Sequence, residues 1–226
     1  MNKVYCAATL FSSLVMCLFL VTPSHALVLD FEGLGNQDQV LDFYNGGTSS
    51  MGYSGTDYGV SFSDNALSLI DSDAGGSGNF GNEPSPDTIL FFLNGDAAVM
   101  SLAAGFDTGF SFFYSAISNP GQVSVWSGLG GTGDLLATLD LAITPQDGGD
   151  PNGSFSPFVP IGVGFEGTAY SVSFAGVINQ IGFDDITFGA VTPGDPGAPV
   201  PEPGSFILMG IGLLGFLAYA RKRRNA

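Results

Sequence analysis

The sequence predicts an all-β protein whose body is an antiparallel, jelly-roll-like β-sandwich. Three observations predict it. Short runs that alternate apolar with polar or small residues recur between clusters of Gly, Asn, Asp and Ser. Helical periodicity is nearly absent, a single turn over 64–70 being the exception. Glycine, with 34 of 226 residues, can supply a turn at every strand end, and the 20 Phe and 7 Tyr can fill a core between two sheets.

In chain order the expected strands are 27–31, 59–62, 88–93, 97–102, 109–116, 122–127, 135–141, 158–165, 169–174 and 180–188. The period of two is plainest where Val123 and Val125 share one face with Ser124 opposite. It returns where Tyr170, Val172 and Phe174 alternate with Ser171 and Ser173. The run Phe110-Ser111-Phe112-Phe113-Tyr114 reads as core. The body occupies 27–189, a comfortable size for one core. A Pro/Gly-rich linker follows over 190–199.

Charge divides the chain more sharply than composition does. All 21 carboxylates lie between Leu27 and Pro203, and that stretch has no Lys, Arg, His or Cys. The five basic residues flank two apolar runs at the ends. Met1-Asn2-Lys3, the apolar stretch 4–21 and the small residues Ser24 and Ala26 form the pattern of a secretory signal peptide, 1–26, cleaved after Ala26. The Sec translocon and signal peptidase are then its partners. The alternative is an uncleaved N-terminal anchor. Cys6, Cys17 and His25 leave with the peptide.

The second run, 204–220, has no charged residue. As a helix it reaches about 25 Å, short of a bilayer core of about 30 Å, a deficit that local thinning and snorkelling side chains absorb. Arg221, Lys222, Arg223 and Arg224 follow and stay in the cytoplasm by the positive-inside bias, which places the body outside. Pro201 and Pro203 cannot join a helix interior or a sheet ladder, so this segment stays extended.

Pro201-Glu202-Pro203, a short hydrophobic helix and a basic tail, in that order over 200–226, resemble the PEP-CTERM sorting signal of Gram-negative bacteria. The resemblance implies an inner-membrane-anchored precursor with a periplasmic body. It further implies an exosortase that reads the Pro-Glu-Pro region and processes the tail, and delivery to the cell surface or the exopolysaccharide matrix.

Within the body no carboxylate has a basic partner, so each needs solvent, N–H donors or a cation. Asp184 and Asp185 interrupt the apolar last strand, and one of them faces inward if alternation persists. Asp30 and Glu32 on the first strand meet them if the chain ends pair. This frame, Asp30-Phe31-Glu32 with Phe183-Asp184-Asp185-Ile186, resembles jelly-roll carbohydrate-binding modules. The resemblance implies a structural calcium ion held by Glu32 and by Asp184 or Asp185. The alternative is a carboxylate capped by backbone N–H groups or turned outward. Asp71 and Asp73, before a glycine run, are a second calcium candidate, against a polar loop without metal; the spacing is not that of an EF-hand.

Trp126, Tyr44 and Tyr53 are candidates to stack on sugar rings, against packing at the core or rim. Catalysis has little to work with. Serine has no His or Lys base, and zinc sites of the usual kind lack His and Cys. A polyanion is no partner for nucleic acid. The sequence therefore points to a non-catalytic structural or matrix protein associated with extracellular polysaccharide. A lectin-like module with a defined glycan is the alternative, and a glycoside hydrolase using two carboxylates a lesser one.

Overall fold

A computed structural model describes residues 27–144, 146 and 153–194. The signal peptide, the 204–220 helix, the Pro-Glu-Pro segment and the basic tail lie outside the described residues. Eleven strands are β1 (Leu27–Leu29), β2 (Val60–Phe62), β3 (Leu67–Ile70), β4 (Thr88–Phe91), β5 (Ala97–Phe106), β6 (Gly109–Ser115), β7 (Gly121–Trp126), β8 (Leu135–Leu141), β9 (Val159–Gly164), β10 (Ala169–Gly176) and β11 (Gly182–Phe188). Sheet A runs β3-β4-β11-β6-β9, with β1 also paired to β11. Sheet B runs β2-β5-β10-β7-β8. Every pairing of these strands is antiparallel. From β8 onward the chain changes sheet at each step, which brings the last strand to the middle of sheet A and against the first.

The alternation seen in the sequence sets the faces. Phe110, Phe112 and Tyr114 of β6 and Phe183, Ile186 and Phe188 of β11 point between the sheets. They meet Val123, Val125, Val172 and Phe174 from sheet B, all buried. Phe174 lies 5.0 Å from Phe183 and 5.8 Å from Phe112, edge to face, the arrangement that aromatic quadrupoles prefer. A smaller apolar cluster covers the outer face of sheet A, with Phe80 and Phe158 packed over Leu69, Ile89 and Phe91.

Two sequence expectations change. In place of a helical turn over 64–70, a turn at Asp64 and Asn65 leads into the strand β3 over Leu67–Ile70, hydrogen-bonded to β4. Both of its faces are buried, so Leu67, Leu69 and Ile70 do not need a helix to find cover, and the hydroxyl of Ser68 donates to the Gly35 carbonyl at 2.7 Å. Folded structure also continues past Gly189. Pro193 is buried, and Gly194 donates its N–H to Thr187 Oγ1 at 3.2 Å.

Candidate functional sites

The outer face of sheet B is built from the residues that alternate away from the core. Register places Ser101, Ser171 and Trp126 in one row across β5, β10 and β7. Val99, Ser173, Ser124 and Thr138 form the next, and Ala97, Ala175, Gln122 and Asp140 a third. These rows are rich in hydroxyls and carry one carboxylate, Asp140, which accepts from Gln122 Nε2 at 3.0 Å. Trp126 stands half-buried on it, its indole N–H donating to Ser173 Oγ at 3.0 Å. That bond fixes the ring beside β10.

The β7–β8 loop closes one end of this face. Gly130 donates to Ser101 Oγ at 3.1 Å and Gly131 to Ser171 Oγ at 2.9 Å, while the Ser171 hydroxyl donates back to the Gly128 carbonyl. A glycine-rich loop can lie this close to a sheet because it brings no side chains of its own.

The second site is the seam where β1 meets β11. Alternation does not persist through Asp184-Asp185. A bulge between Asp184 and Thr187, with Asp185 in the left-handed region at φ 47°, adds one residue to the strand. Phe183 and Ile186 therefore both face the core, and neither carboxylate does. Asp184 shares the outer face with Phe113 and is fully buried beneath the 71–87 segment, where Ser85 donates to Asp184 Oδ2 from its N–H at 3.0 Å and its hydroxyl at 2.8 Å. Asp184 Oδ1 accepts the Asp185 N–H at 2.7 Å. Burial nevertheless pushes the Asp184 carboxyl well above the usual carboxylate range. Asp185 is also raised, by burial and then by the charge of Asp30.

Glu32 completes the seam. Its Oε1 accepts the N–H groups of Asp87 at 2.9 Å and Thr88 at 2.8 Å. The Ser85 hydroxyl is surrounded by oxygens: Asp184 Oδ2, the Asp30 carbonyl at 3.1 Å, the Thr88 carbonyl at 3.3 Å and Glu32 Oε1 at 3.5 Å. A hydroxyl has a single hydrogen to share among these four acceptors. Sequence reasoning missed Ser85; its place between Pro84 and Pro86 in a loop was the only signal.

The structure does not bring the other candidates together. Asp71 is buried at the neck of its loop, its carboxylate accepting the Ser72 N–H at 2.6 Å, whereas Asp73 is exposed at the tip. Among the described residues no three acidic side chains converge as a metal-binding group. Tyr44 is a core residue, 4% exposed, so it offers no ring face to a sugar. Its hydroxyl oxygen accepts the Phe31 N–H at 2.8 Å, and burial raises its pKa. Tyr53 is 48% exposed on the 42–59 loop, next to Gly35 and far in the topology from Trp126. Tyr58, which stacks on Tyr44, escaped the sequence reading.

Three solved structures show likeness to the chain. A family 6 carbohydrate-binding module is 16% identical, covers 57% of this chain and 85% of its own, and has a TM-score of 0.35. Two cleaved adhesin domains of Lys-gingipain from Porphyromonas gingivalis are 12% and 14% identical. They cover 73% and 74% of this chain and 98% and 92% of their own, with TM-scores of 0.38 and 0.32. No curated protein matches. The ending of the chain is matched directly: residues 199–224 fit the family model described as the PEP-CTERM protein-sorting motif. That span takes in Pro201, Glu202 and Pro203 and the basic residues through Arg224, and the chain thus carries a PEP-CTERM sorting motif, the mark of an exported, exosortase-sorted protein.

Proposed function

We propose that the exported body is a non-catalytic matrix protein that associates with extracellular polysaccharide through the outer face of sheet B. The observation that carries this reading is Trp126, held by Ser173 on a face of hydroxyls and small side chains. An indole offers an apolar face to the C–H side of a sugar ring, and the neighbouring hydroxyls and Gln122 offer hydrogen bonds to its rim. In this reading the Pro201–Pro203 segment is what the exosortase recognises, the apolar run 204–220 holds the precursor in the inner membrane, and the processed protein reaches the surface or the matrix.

The test is a glycan array probed with the detergent-solubilised full chain and with its Trp126→Ala variant. Polysaccharide retention is expected, reduced roughly tenfold in the variant. Retention unchanged by Trp126→Ala removes this face from consideration. Binding confined to one defined oligosaccharide would favour the lectin reading over a matrix role.

Calcium at the β1–β11 seam is the associated cofactor proposal. The donor set suits a hard cation: oxygens only, from Glu32, Asp184, Ser85 and the carbonyls of Asp30 and Thr88, with no basic side chain in the body to compete. These residues would hold the ion, and its charge would offset that of the buried Asp184. Two carboxylates alone are too few, so the carbonyl and hydroxyl oxygens are necessary to the reading.

A further inference from the structure

We propose that the outer face of sheet B takes an uncharged polysaccharide laid along β7, and that the Gln122–Asp140 pair grips two adjacent sugar hydroxyls at the end of this track away from Trp126. The proposal rests on polysaccharide binding at this face and names the class of chain bound there.

Parity puts both ends of the track on one face. Trp126, Ser124 and Gln122 are every second residue of β7, and Thr138 and Asp140 of β8 lie across from the last two. Gln122, Thr138 and Asp140 are exposed, and Ser124 and Trp126 are half-buried. β8 is the edge of sheet B, so no further strand of the sheet walls the track. Gln122 stands four residues from Trp126, about 13 Å along β7 at roughly 3.3 Å per residue, a span of roughly three to four linked pyranose rings. A ring stacked on the indole therefore leaves a second point of contact that only a longer chain reaches.

The far end is built for neighbouring O–H donors. Gln122 Nε2 donates to Asp140 Oδ1 at 3.0 Å and so fixes the carboxylate beside the amide. Among the described residues no other hydrogen bond reaches the Asp140 side chain, and its Oδ2 is left to accept from a ligand. A carboxylate takes two adjacent hydroxyls at once, and bonds to a charged acceptor are roughly twice as strong as neutral ones. Ring hydroxyls of a sugar supply that pair of donors. The carboxylate of a uronic acid supplies none and meets Asp140 with like charge.

Charge selects the class. No basic side chain lies between Leu27 and Pro203 to receive an anion. Asp134 stands at the Trp126 end of the track, exposed, its carbonyl accepting the Ser127 N–H at 2.9 Å. An anionic sugar laid on β7 thus meets carboxylates at both ends, and at 0.15 M salt their repulsion still reaches about 8 Å. A face of hydroxyls, one amide and carboxylates accepts O–H donors and refuses anions.

The test is retention of the detergent-solubilised full chain, at 0.15 M sodium chloride, on neutral polymers and their anionic counterparts: hydroxyethyl cellulose, mannan and galactan beside carboxymethyl cellulose, alginate and polygalacturonate. The basic residues 221–224 hold an anionic polymer by themselves, so the quantity compared is the part of retention lost in Trp126→Ala. That part is expected on at least one neutral polymer and to be roughly tenfold or more weaker on its anionic counterpart. Asp140→Asn, nearly isosteric at an exposed position, is expected to weaken it roughly threefold to tenfold on the neutral polymer and to strengthen it on the anionic one. A merely structural role for Asp140 would move both in the same direction. Four-sugar fragments of the retained polymer are expected to compete roughly tenfold better than two-sugar fragments, because only they engage both ends. Trp126-dependent retention that is equal on the anionic counterpart overturns the proposal and leaves polysaccharide binding at this face standing. Neutral retention indifferent to Asp140→Asn does the same, as does competition that ignores fragment length. Trp126-dependent retention on none of the six polymers removes the face itself, and the proposal with it.

Discussion

Asp184 is a fully buried carboxyl in a body that has no positive charge to offer it. Three donors, two from Ser85 and one from Asp185, stabilise its charged form, and loss of water opposes them more strongly. The native state therefore holds the Asp184 proton more tightly than the unfolded chain does, and Asp185 adds to this in the same sense. Stability rises as pH falls from above the native pKa toward the ordinary carboxylate value near ~4, and is lost again as pH rises through the native pKa. In chelator, the full chain is expected to show a higher Tm at pH 5 than at pH 7 by scanning calorimetry. A calcium ion would compete with the proton for the same oxygens. The calcium-induced rise in Tm, set against sodium chloride of equal ionic strength, should accordingly be larger at pH 7 than at pH 5. A Tm that falls on acidification refutes the assignment of the buried charge; no calcium shift at either pH removes the metal from the seam.

At the scale of elements, the β7–β8 loop shows how a weak local preference becomes a fixed structure. Its glycines have no intrinsic reason to lie on sheet B; Ser101 and Ser171 hold them there. Ser171→Ala removes two hydrogen bonds at a fully buried position and is expected to cost about 1–2 kcal/mol. The Gly131 amide should lose its protection from exchange, while the β5–β10 ladder keeps its own. Protection of Gly131 that outlasts the substitution would mean that the glycine backbone packs there unaided. Strands of this kind were legible in the sequence because each exposes one face: β7 alternates residue by residue, β10 does so from Val172 to Ala175, and β8 falls over the expected 135–141. The strand β3 was not, because burial on both faces erases the period of two. The bulge at Asp185 was illegible for another reason. Nothing local forces aspartate into the left-handed region; the need to keep Phe183 and Ile186 in the core together does. The candidate sites divide the same way. Trp126 lies on the outward parity that its neighbours Val123 and Val125 implied. Tyr44 looked like a loop aromatic and is core, because the 42–44 segment covers the free edge of β2, with the Tyr44 carbonyl accepting from Val60. The segment 190–194 has a linker's composition, and the glycines it passes, Gly109 and Gly162, come together only once β6, β9 and β11 are side by side.

For the whole molecule the governing fact is charge of one sign. Between Leu27 and Pro203 every ionisable side chain that is charged at neutral pH is a carboxylate. The sandwich thus folds against its own field, with no internal ion pair to offset the repulsion. Most of these groups that the structure describes are exposed, and the apolar core between the sheets outweighs what repulsion remains. Salt therefore acts in one direction. Screening shortens the reach of repulsion from about 30 Å at 0.01 M to roughly 4 Å near 0.5 M, and there are no attractive pairs within the body for it to weaken. With chelator present, raising sodium chloride over that range is expected to lift the Tm of the full chain by roughly 3–6 °C. An ordinary protein of mixed charge shows little net change, because screened attractions and repulsions cancel. The same rise should diminish at pH 4, where protonation has already removed much of the charge. A Tm that is flat or falling with salt at pH 7 would mean that the carboxylates are neutralised by bound cations that survive chelation, and the charge asymmetry of the chain would then serve delivery alone and leave no imprint on the stability of the fold.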